Sequence, residues 1–339
     1  MVTRGFGWFL FRRRCPAVKQ PESAVSKFEK RVDFCTPYAL DPGVELSELH
    51  GMQNYAFSSE PYVVGATPEQ PAAPHIPAEE CITRVLSHTW VNAEYKHLVL
   101  AASPKALAVK PGQFFNILCP SPDDGDLWLR RPQSIFRVDR AAGNIEFLYK
   151  CAGRGTRGMA TLTPGDHCNI VGPLGVGFSL RPEWKNIVVL GRGVGLATLG
   201  PISQLAAEAG VGVTAILSAR SPDLIMVDEV FAEIGDVFRV LDSDGTSAVE
   251  NVERILQGLI AANKADAFFT CGSNRLMLLM KQLGNKHGIP GQVAMEQVMA
   301  CGLGPCYVCV KTFEVDGHKE LRRVCIEGPV FDMQECVGW

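Results

Sequence analysis

Cys301, Cys306, Cys309 and Cys325 follow one another as C-x4-C-x2-C-x15-C, three thiols in one loop and a fourth further along the chain. That donor set and order suit a [2Fe–2S] cluster, with the x4-then-x2 spacing of plant-type ferredoxins. The loop reads Met299-Ala300-Cys301-Gly302-Leu303-Gly304-Pro305-Cys306-Tyr307-Val308-Cys309. Its glycines let backbone amides turn inward toward cluster sulfides. The short return gap predicts a small hairpin, with a strand over 310–315, a turn at Asp316-Gly317 and a second strand over 321–325. A structural zinc site is the competing reading, but zinc modules favour two C-x2-C knuckles, and only Cys306 and Cys309 form one here.

Two further constellations could bind a dinucleotide. Arg131 and Ser134 stand three apart, so a guanidinium could fork onto a flavin dinucleotide's pyrophosphate while a hydroxyl sits by the reactive edge of the isoalloxazine. A plain surface loop is the alternative for so short a motif. Gly153-Arg154-Gly155-Thr156 reads as a glycine turn entering a short helix over 157–162, an anion seat of free backbone amides. Gly191-Arg192-Gly193-Val194-Gly195 follows an apolar strand and precedes a helix with Pro201 in its first turn, the parts needed to receive a dinucleotide phosphate. The spacing is not the Rossmann G-x-G-x-x-G, and no acid ends the second strand near Ser218-Ala219-Arg220 to take a ribose hydroxyl. Arg220 could sit near a phosphate, so NAD and NADP both stay open. Cys271 follows another short strand at the sheet edge a ligand would cross. It is a candidate beside the nicotinamide, with a buried structural cysteine as the alternative.

Elements must hold these residues in place. Short β-rich segments over 81–90, 95–102, 113–119, 134–138 and 144–151, separated by turn signals, predict a small barrel. After Pro182 the texture changes to strands over 186–190, 212–218 and 267–270, alternating with helices over 199–209, 249–262 and 274–287. That alternation means a parallel sheet with crossover helices. Five prolines between Pro61 and Pro77 forbid regular structure, so residues 1–79 read as an extension ending in a linker. The organisation is therefore an extension (1–79), a barrel (80–182), an α/β unit (183–290) and a cluster module (291–339).

Composition narrows the partners and the compartment. A net charge of −3 over 339 residues gives no nucleic-acid footprint. No apolar run approaches the ~20 residues of a membrane span. Of twelve cysteines, those outside the cluster motif are scattered singly, which suits a reducing cytoplasm. The start of the chain is Arg-rich and acid-free through Gln20. It reads as a tail or a partner-docking arm, with an organellar transit peptide as the alternative.

Taken in order, the motifs resemble the ferredoxin-reductase-like electron-transfer subunit of class B dihydroorotate dehydrogenases. The carriers are P-G-Q-F at 111–114, R-R-P-Q-S at 130–134, G-R-G-T at 153–156, G-P-L-G-V-G-F at 172–178, the glycine loop at 191–195, C-G at 271–272, the cysteine loop and V-C-I-E-G-P-V-F at 324–331. The resemblance implies a multidomain α+β fold: a flavin-binding β-barrel, an α/β nicotinamide-type domain and a small [2Fe–2S] module. It implies that Arg131, Pro132, Gln133 and Ser134 hold FAD and that Gly153, Gly155 and Thr156 hold its phosphates. Gly191, Gly193 and Gly195 would meet NAD(P), Ser134 and Cys271 would act in catalysis, and the four cysteines would hold the cluster. It also implies an FMN-bearing catalytic subunit in a heterotetramer or larger assembly serving pyrimidine biosynthesis. Arg192 stands where the family has glycine, Thr198 and Ser273 where it has proline, and Pro305 and Val308 alter small positions of the cysteine loop. Arg192 is expected to crowd the dinucleotide phosphate and weaken nicotinamide reduction. A relay and scaffold subunit that no longer uses nicotinamide is the second reading.

Overall fold

The computed structural model describes residues 78–122 and 127–338. The expected extension over 1–79 lies outside the described residues except for its last two. Seven strands come first: β1 (Glu79–Trp90), β2 (Tyr95–Ala101), β3 (Phe114–Ile117), β4 (Arg131–Ser134), β5 (Arg137–Asp139), β6 (Asn144–Lys150) and β7 (His167–Leu174). They pair antiparallel in the order β4-β3-β7-β1-β2-β6-β5. β4 and β5 occupy opposite edges, yet only Ile135 and Phe136 separate them in sequence. The three Cα steps from Ser134 to Arg137 span under ~11 Å, so the sheet has to curl until its edges approach. The Ile135 amide donates to Gln113 O and the Phe136 amide to Glu146 O, one bond to each side of the seam. The expected single strand over 134–138 is thus two strands with a barrel corner between them.

Period-two alternation sets what each strand faces. Phe115 and Ile117 enter the barrel core with Leu98, Leu100, Ile145 and Phe147. Phe114, from the opposite face of β3, joins the core shared with the rest of the chain. The β6–β7 connection carries α1 (Arg154–Met159), which begins three residues before the helix expected from the sequence, so Gly155 and Thr156 lie inside it.

The second sheet contains β8 (Asn186–Arg192), β9 (Gly212–Ala219), β10 (Asp236–Leu241), β11 (Ala267–Cys271) and β12 (Gly291–Ala294). Its crossovers run through α2 (Gly195–Glu208), α3 (Asp228–Ile234), α4 (Val249–Ala261) and α5 (Asn274–His287). A hairpin of β13 (Val310–Val315) and β14 (His318–Arg323) follows, and β15 (Val330–Asp332) returns to pair antiparallel with β12. The completed order is β10-β9-β8-β11-β12-β15. Adjacent residues of β8 feed opposite faces: Val188 and Leu190 pack with Leu256 of α4 and Met280 of α5, whereas Ile187 and Val189 pack with Leu199 of α2 and Phe231 of α3. Both faces are covered, as a parallel sheet requires.

Several elements differ from expectation. α2 begins at Gly195 rather than residue 199, and Pro201 sits in its interior rather than in its first turn. The second hairpin strand ends at Arg323, leaving Cys325 in the turn beyond it. β7, β10, β12 and β15 carry no strong strand signal. β12 and β15 extend the α/β sheet past residue 290, and the core of that sheet runs on into Cys309, Phe313, Val324 and Cys325. The cluster module therefore has no separate core.

Candidate flavin cleft and cluster loop

Where the curled sheet meets the α/β sheet there is a cleft of about 270 Å³. Pro132, Gln133 and Ser134 of β4, Phe114 of β3 and Thr156 of α1 line one side. Val194 and Thr198, from the glycine loop and the first turn of α2, line the other. Met295, Glu296, Gln297 and Met299, on the segment between β12 and the cysteine loop, complete it. The structure thus brings the barrel motif and the glycine loop together around one cavity.

Arg131 lies against α1: a Cβ placed on Gly155 would come within 2.5 Å of its Nε. The guanidinium donates to Leu129 O at 2.5 Å, which holds it over the first turn of the helix. Thr156 Oγ1 accepts from the amides of Ala152 and Gly153, both at 3.0 Å. Its hydroxyl therefore shapes the turn, and only part of the residue faces the cleft.

The glycine loop is a packing device as well as a turn. Gly193 has φ of +55°, and a Cβ on Gly195 would stand 2.4 Å from Cys271 O. α2 can approach β11 this closely only without a side chain there. Cys271 is not among the cleft-lining residues. It is buried behind Thr198, burial raises its thiol well above the ordinary range, and a bond from Thr198 opposes that only in part. Thr198, the residue that departs from the family pattern, stands in the place expected for Cys271. Glu296 carries no motif and was not anticipated. Its side chain is exposed and borders the cleft, and the protein crowded around its carboxyl desolvates it and raises it above the ordinary value.

Arg192 does not crowd the loop. Its guanidinium turns along the sheet edge to Ser218 Oγ at 2.8 Å and to both carboxylate oxygens of Asp242, at 3.1 and 2.5 Å. Arg192, then Ser247, hold the Asp242 carboxyl down at about 2. The Asp242 amide donates to Ala219 O, so pairing of β10 with β9 puts an acid beside the end of the second strand, where sequence reading found none. Arg220 pairs with Glu94 of the β1–β2 turn, and Glu94 also meets Lys150 at 3.0 Å.

The four cysteines stand as two pairs. Cys301 Sγ and Cys306 Sγ lie 3.1 Å apart, and the Cys325 amide reaches Cys309 Sγ at 3.4 Å. Among the described residues no three His, Cys, Asp or Glu side chains converge on a single ion position. The C-x4-C-x2-C-x15-C order supplies the four thiolates that a [2Fe–2S] cluster takes. Amides supply the rest of the environment. Leu303 N–H points at Cys301 Sγ from 3.3 Å, and bonds from Val308, Cys301 and Ala300 lower the Cys306 thiol to about 7. Burial, then Cys309, pushes Cys325 up to about 12, the opposite of what a free thiolate needs; a coordinated cation would deprotonate such a thiol outright. Met299 lines the cleft two residues before Cys301, so one short segment borders both sites.

A curled antiparallel flavin-type barrel, a parallel α/β sheet and a four-cysteine loop together define a ferredoxin-reductase-like electron-transfer protein with an iron–sulfur module. Residues 296–337 match the iron–sulfur cluster binding domain of dihydroorotate dehydrogenase B. The chain is 33% identical over 233 residues to the dihydroorotate dehydrogenase B (NAD(+)) electron transfer subunit of Enterococcus faecalis, covering 67% of this chain and 87% of that one. With the subunit of the same name from Desulforamulus reducens it shares 31% over 255 residues, 75% of this chain and 97% of that one. Among solved structures, an NADH-dependent reduced ferredoxin-NADP oxidoreductase superposes with a TM-score of 0.64 at 25% identity, covering 75% of this chain and 89% of the other. The chain belongs to the family of dihydroorotate dehydrogenase B electron transfer subunits.

Proposed function

We propose that this chain carries electrons between a nicotinamide nucleotide and a flavin-bearing catalytic subunit by way of FAD and a [2Fe–2S] cluster. The observation that carries the reading is the cleft itself, bounded by the β4 motif, by the glycine loop and α2, and by Met299 on the segment that leads into Cys301. FAD, when bound there, exchanges hydride with a nicotinamide on one side and single electrons with a cluster on the other.

The residues divide that work. Arg131, over the first turn of α1, neutralises a pyrophosphate seated by Gly153 and Gly155, and Thr156 keeps the turn in shape. Pro132 and Gln133 form the wall along the ring system. Ser134 offers its hydroxyl at the reactive edge, with Thr198 facing it and Cys271 supporting Thr198 from behind. Glu296, exposed at the cleft with its carboxyl raised by desolvation, would hold or release a proton at the same edge. Gly191, Gly193 and Gly195 let the loop and the first turn of α2 approach a dinucleotide phosphate without a side chain in the way. Because the Arg192 side chain is committed to Asp242, nicotinamide use is favoured over the relay-only reading.

The flavin unit is 80–182, the nucleotide unit is 183–290 together with β12 and β15, and the rest of 291–339 is the cluster module. Leu303, Tyr307 and Val308 are exposed on the cysteine loop, an apolar surface that suits docking of an FMN-bearing subunit in a heterotetramer or larger assembly. The chain's relatives carry the name dihydroorotate dehydrogenase, so the partner's chemistry is oxidation of dihydroorotate in pyrimidine biosynthesis. No helix among the described residues is long and apolar enough to cross a membrane. The cysteines among them are all unpaired, as a reducing cytoplasm requires.

Anaerobic mixing with NADH or NADPH while following flavin and cluster absorbance tests the proposal. Flavin bleaching followed by cluster reduction is the expected result. A protein that binds FAD and iron yet is bleached by neither nucleotide would overturn it in favour of the relay.

A further inference from the structure

β3 presents two side chains away from the barrel core. One is Phe114, in the wall of the cleft. The other is Asn116, 1% exposed, opposite Pro132 in the ladder between β3 and β4. Asn116 Nδ2 donates to the carbonyl of Cys301 at 3.1 Å. Its Oδ1 has no hydrogen-bond partner among the described residues. A buried amide with half its capacity unused is poorly suited to simple packing, which a leucine of similar size would do without loss. What distinguishes it is the one bond it makes.

That bond acts on a peptide that matters to the cluster. The Cys301 carbonyl belongs to the peptide leading into Gly302, which has φ of +69° and leaves no room for a Cβ, since Asn116 Nδ2 would lie 2.0 Å away. One residue further, Leu303 N–H points at Cys301 Sγ from 3.3 Å. Anchoring the carbonyl fixes the turn, and the turn aims the amide at the sulfur. Amide bonds to ligand sulfurs stabilise the more negative, reduced state of a cluster and so raise its reduction potential.

We infer that Asn116 is a positioning residue: it ties the flavin-side strand β3 to the cluster loop and, through the Leu303 amide, sets the electronic environment of Cys301. The inference rests on the reading of the four cysteines as [2Fe–2S] ligands. The bond also makes β3 a common support for the cleft wall and the cluster, so both sites keep one relative placement.

The test compares full-length unmodified protein, Asn116→Leu and Asn116→Ser, all purified anaerobically with their bound cofactors. Iron, sulfide and flavin contents, the electron paramagnetic resonance spectrum of the dithionite-reduced cluster, and its midpoint potential by redox titration are measured for each. Asn116→Leu is expected to keep its flavin, to shift the g-values of the cluster signal and to lower its midpoint potential. Loss of the cluster with flavin retained would express the same role more strongly. Should Asn116→Leu lose both groups, Asn116→Ser, which leaves space for a water at the Cys301 carbonyl, is read instead, with a smaller shift expected in the same direction. A cluster in either flavin-retaining variant with unaltered spectrum and potential overturns the inference while leaving the functional reading intact. Absence of iron and sulfide from the unmodified protein overturns the functional reading itself, and the inference falls with it.

Discussion

Asp242→Asn removes the carboxylate that pins Arg192 at the C-terminal edge of the α/β sheet. The side chain takes two bonds from Arg192, one from Ser247, and lies 3.7 Å from Arg275. Holding its carboxyl at about 2 instead of 3.8 corresponds to about 2.5 kcal/mol of preference for the ionised form. Asp242 is 40% exposed, however, and solvent screening reduces such a pair to ~1 kcal/mol or less. Because the value is depressed, the stabilisation is fully present above the unfolded-state value and is lost only as pH falls through about 2. At pH 7 the substitution should therefore lower the melting temperature by about 2–4 °C. In 1 M salt, where the screening length shrinks to about 3 Å, most of that difference should vanish. The same change frees Arg192 and Arg275 toward any phosphate at the sheet edge. NADPH, with its additional phosphate, should then gain more affinity than NADH. Thermal unfolding at low and high salt, together with equilibrium titration of both nucleotides, measures the two effects. An unchanged melting temperature with an unchanged affinity ratio would refute the role assigned to this ion pair.

Other perturbations reach the cleft and the cluster separately. Glu296→Gln should slow flavin reduction and slightly raise the melting temperature near pH 8, with the gain narrowing toward pH 4; a carboxyl raised by desolvation destabilises the fold increasingly from its unfolded-state value up to its folded-state value, and fully above that. Unfolding curves across that range check the sign. Gly155→Ala should strengthen α1 by about 0.5–1 kcal/mol on helix propensity alone, yet lower flavin content, because the new Cβ would sit 2.5 Å from Arg131 Nε. Fluorimetry of flavin released from the purified variant decides it, and full occupancy would contradict the placement of Arg131. Cys306→Ser should abolish the reduced cluster's paramagnetic signal and leave flavin bound, since Cys306 lies outside the cleft lining.

Legibility in the sequence followed the density of local signals. The cysteine loop was readable because metal ligation imposes residue type and spacing together, and residues 296–337 match an iron–sulfur cluster binding domain. Long parallel strands such as β8 and β9 announced themselves as apolar runs. β7 did not, although it lies between β3 and β1 in the sheet; its sequence, HCNIVGPL, mixes polar residues with a glycine and a proline. β15 is only three residues long, too short for any periodicity. Glu296 and Asp242 were invisible for a different reason. Each acquires its role from neighbours distant in sequence, and no spacing rule encodes that meeting. Arg192 was misread because residue type alone does not say which way a long side chain leaves a loop.

The pairing of β15 with β12 also has a temporal side. During synthesis Cys301, Cys306 and Cys309 leave the ribosome before Cys325, and residues 330–336 follow later still. Those later residues contribute an edge strand and the bridge between Cys336 and Phe313, with Lys281 of α5 donating to Cys336 O at 2.8 Å. Until they emerge, the core around Cys309 and Cys325 lacks Phe331 and Met333. A polypeptide cut before residue 330 should therefore leave Cys309 and Cys325 in an incomplete core, their thiols less protected than in the full fold.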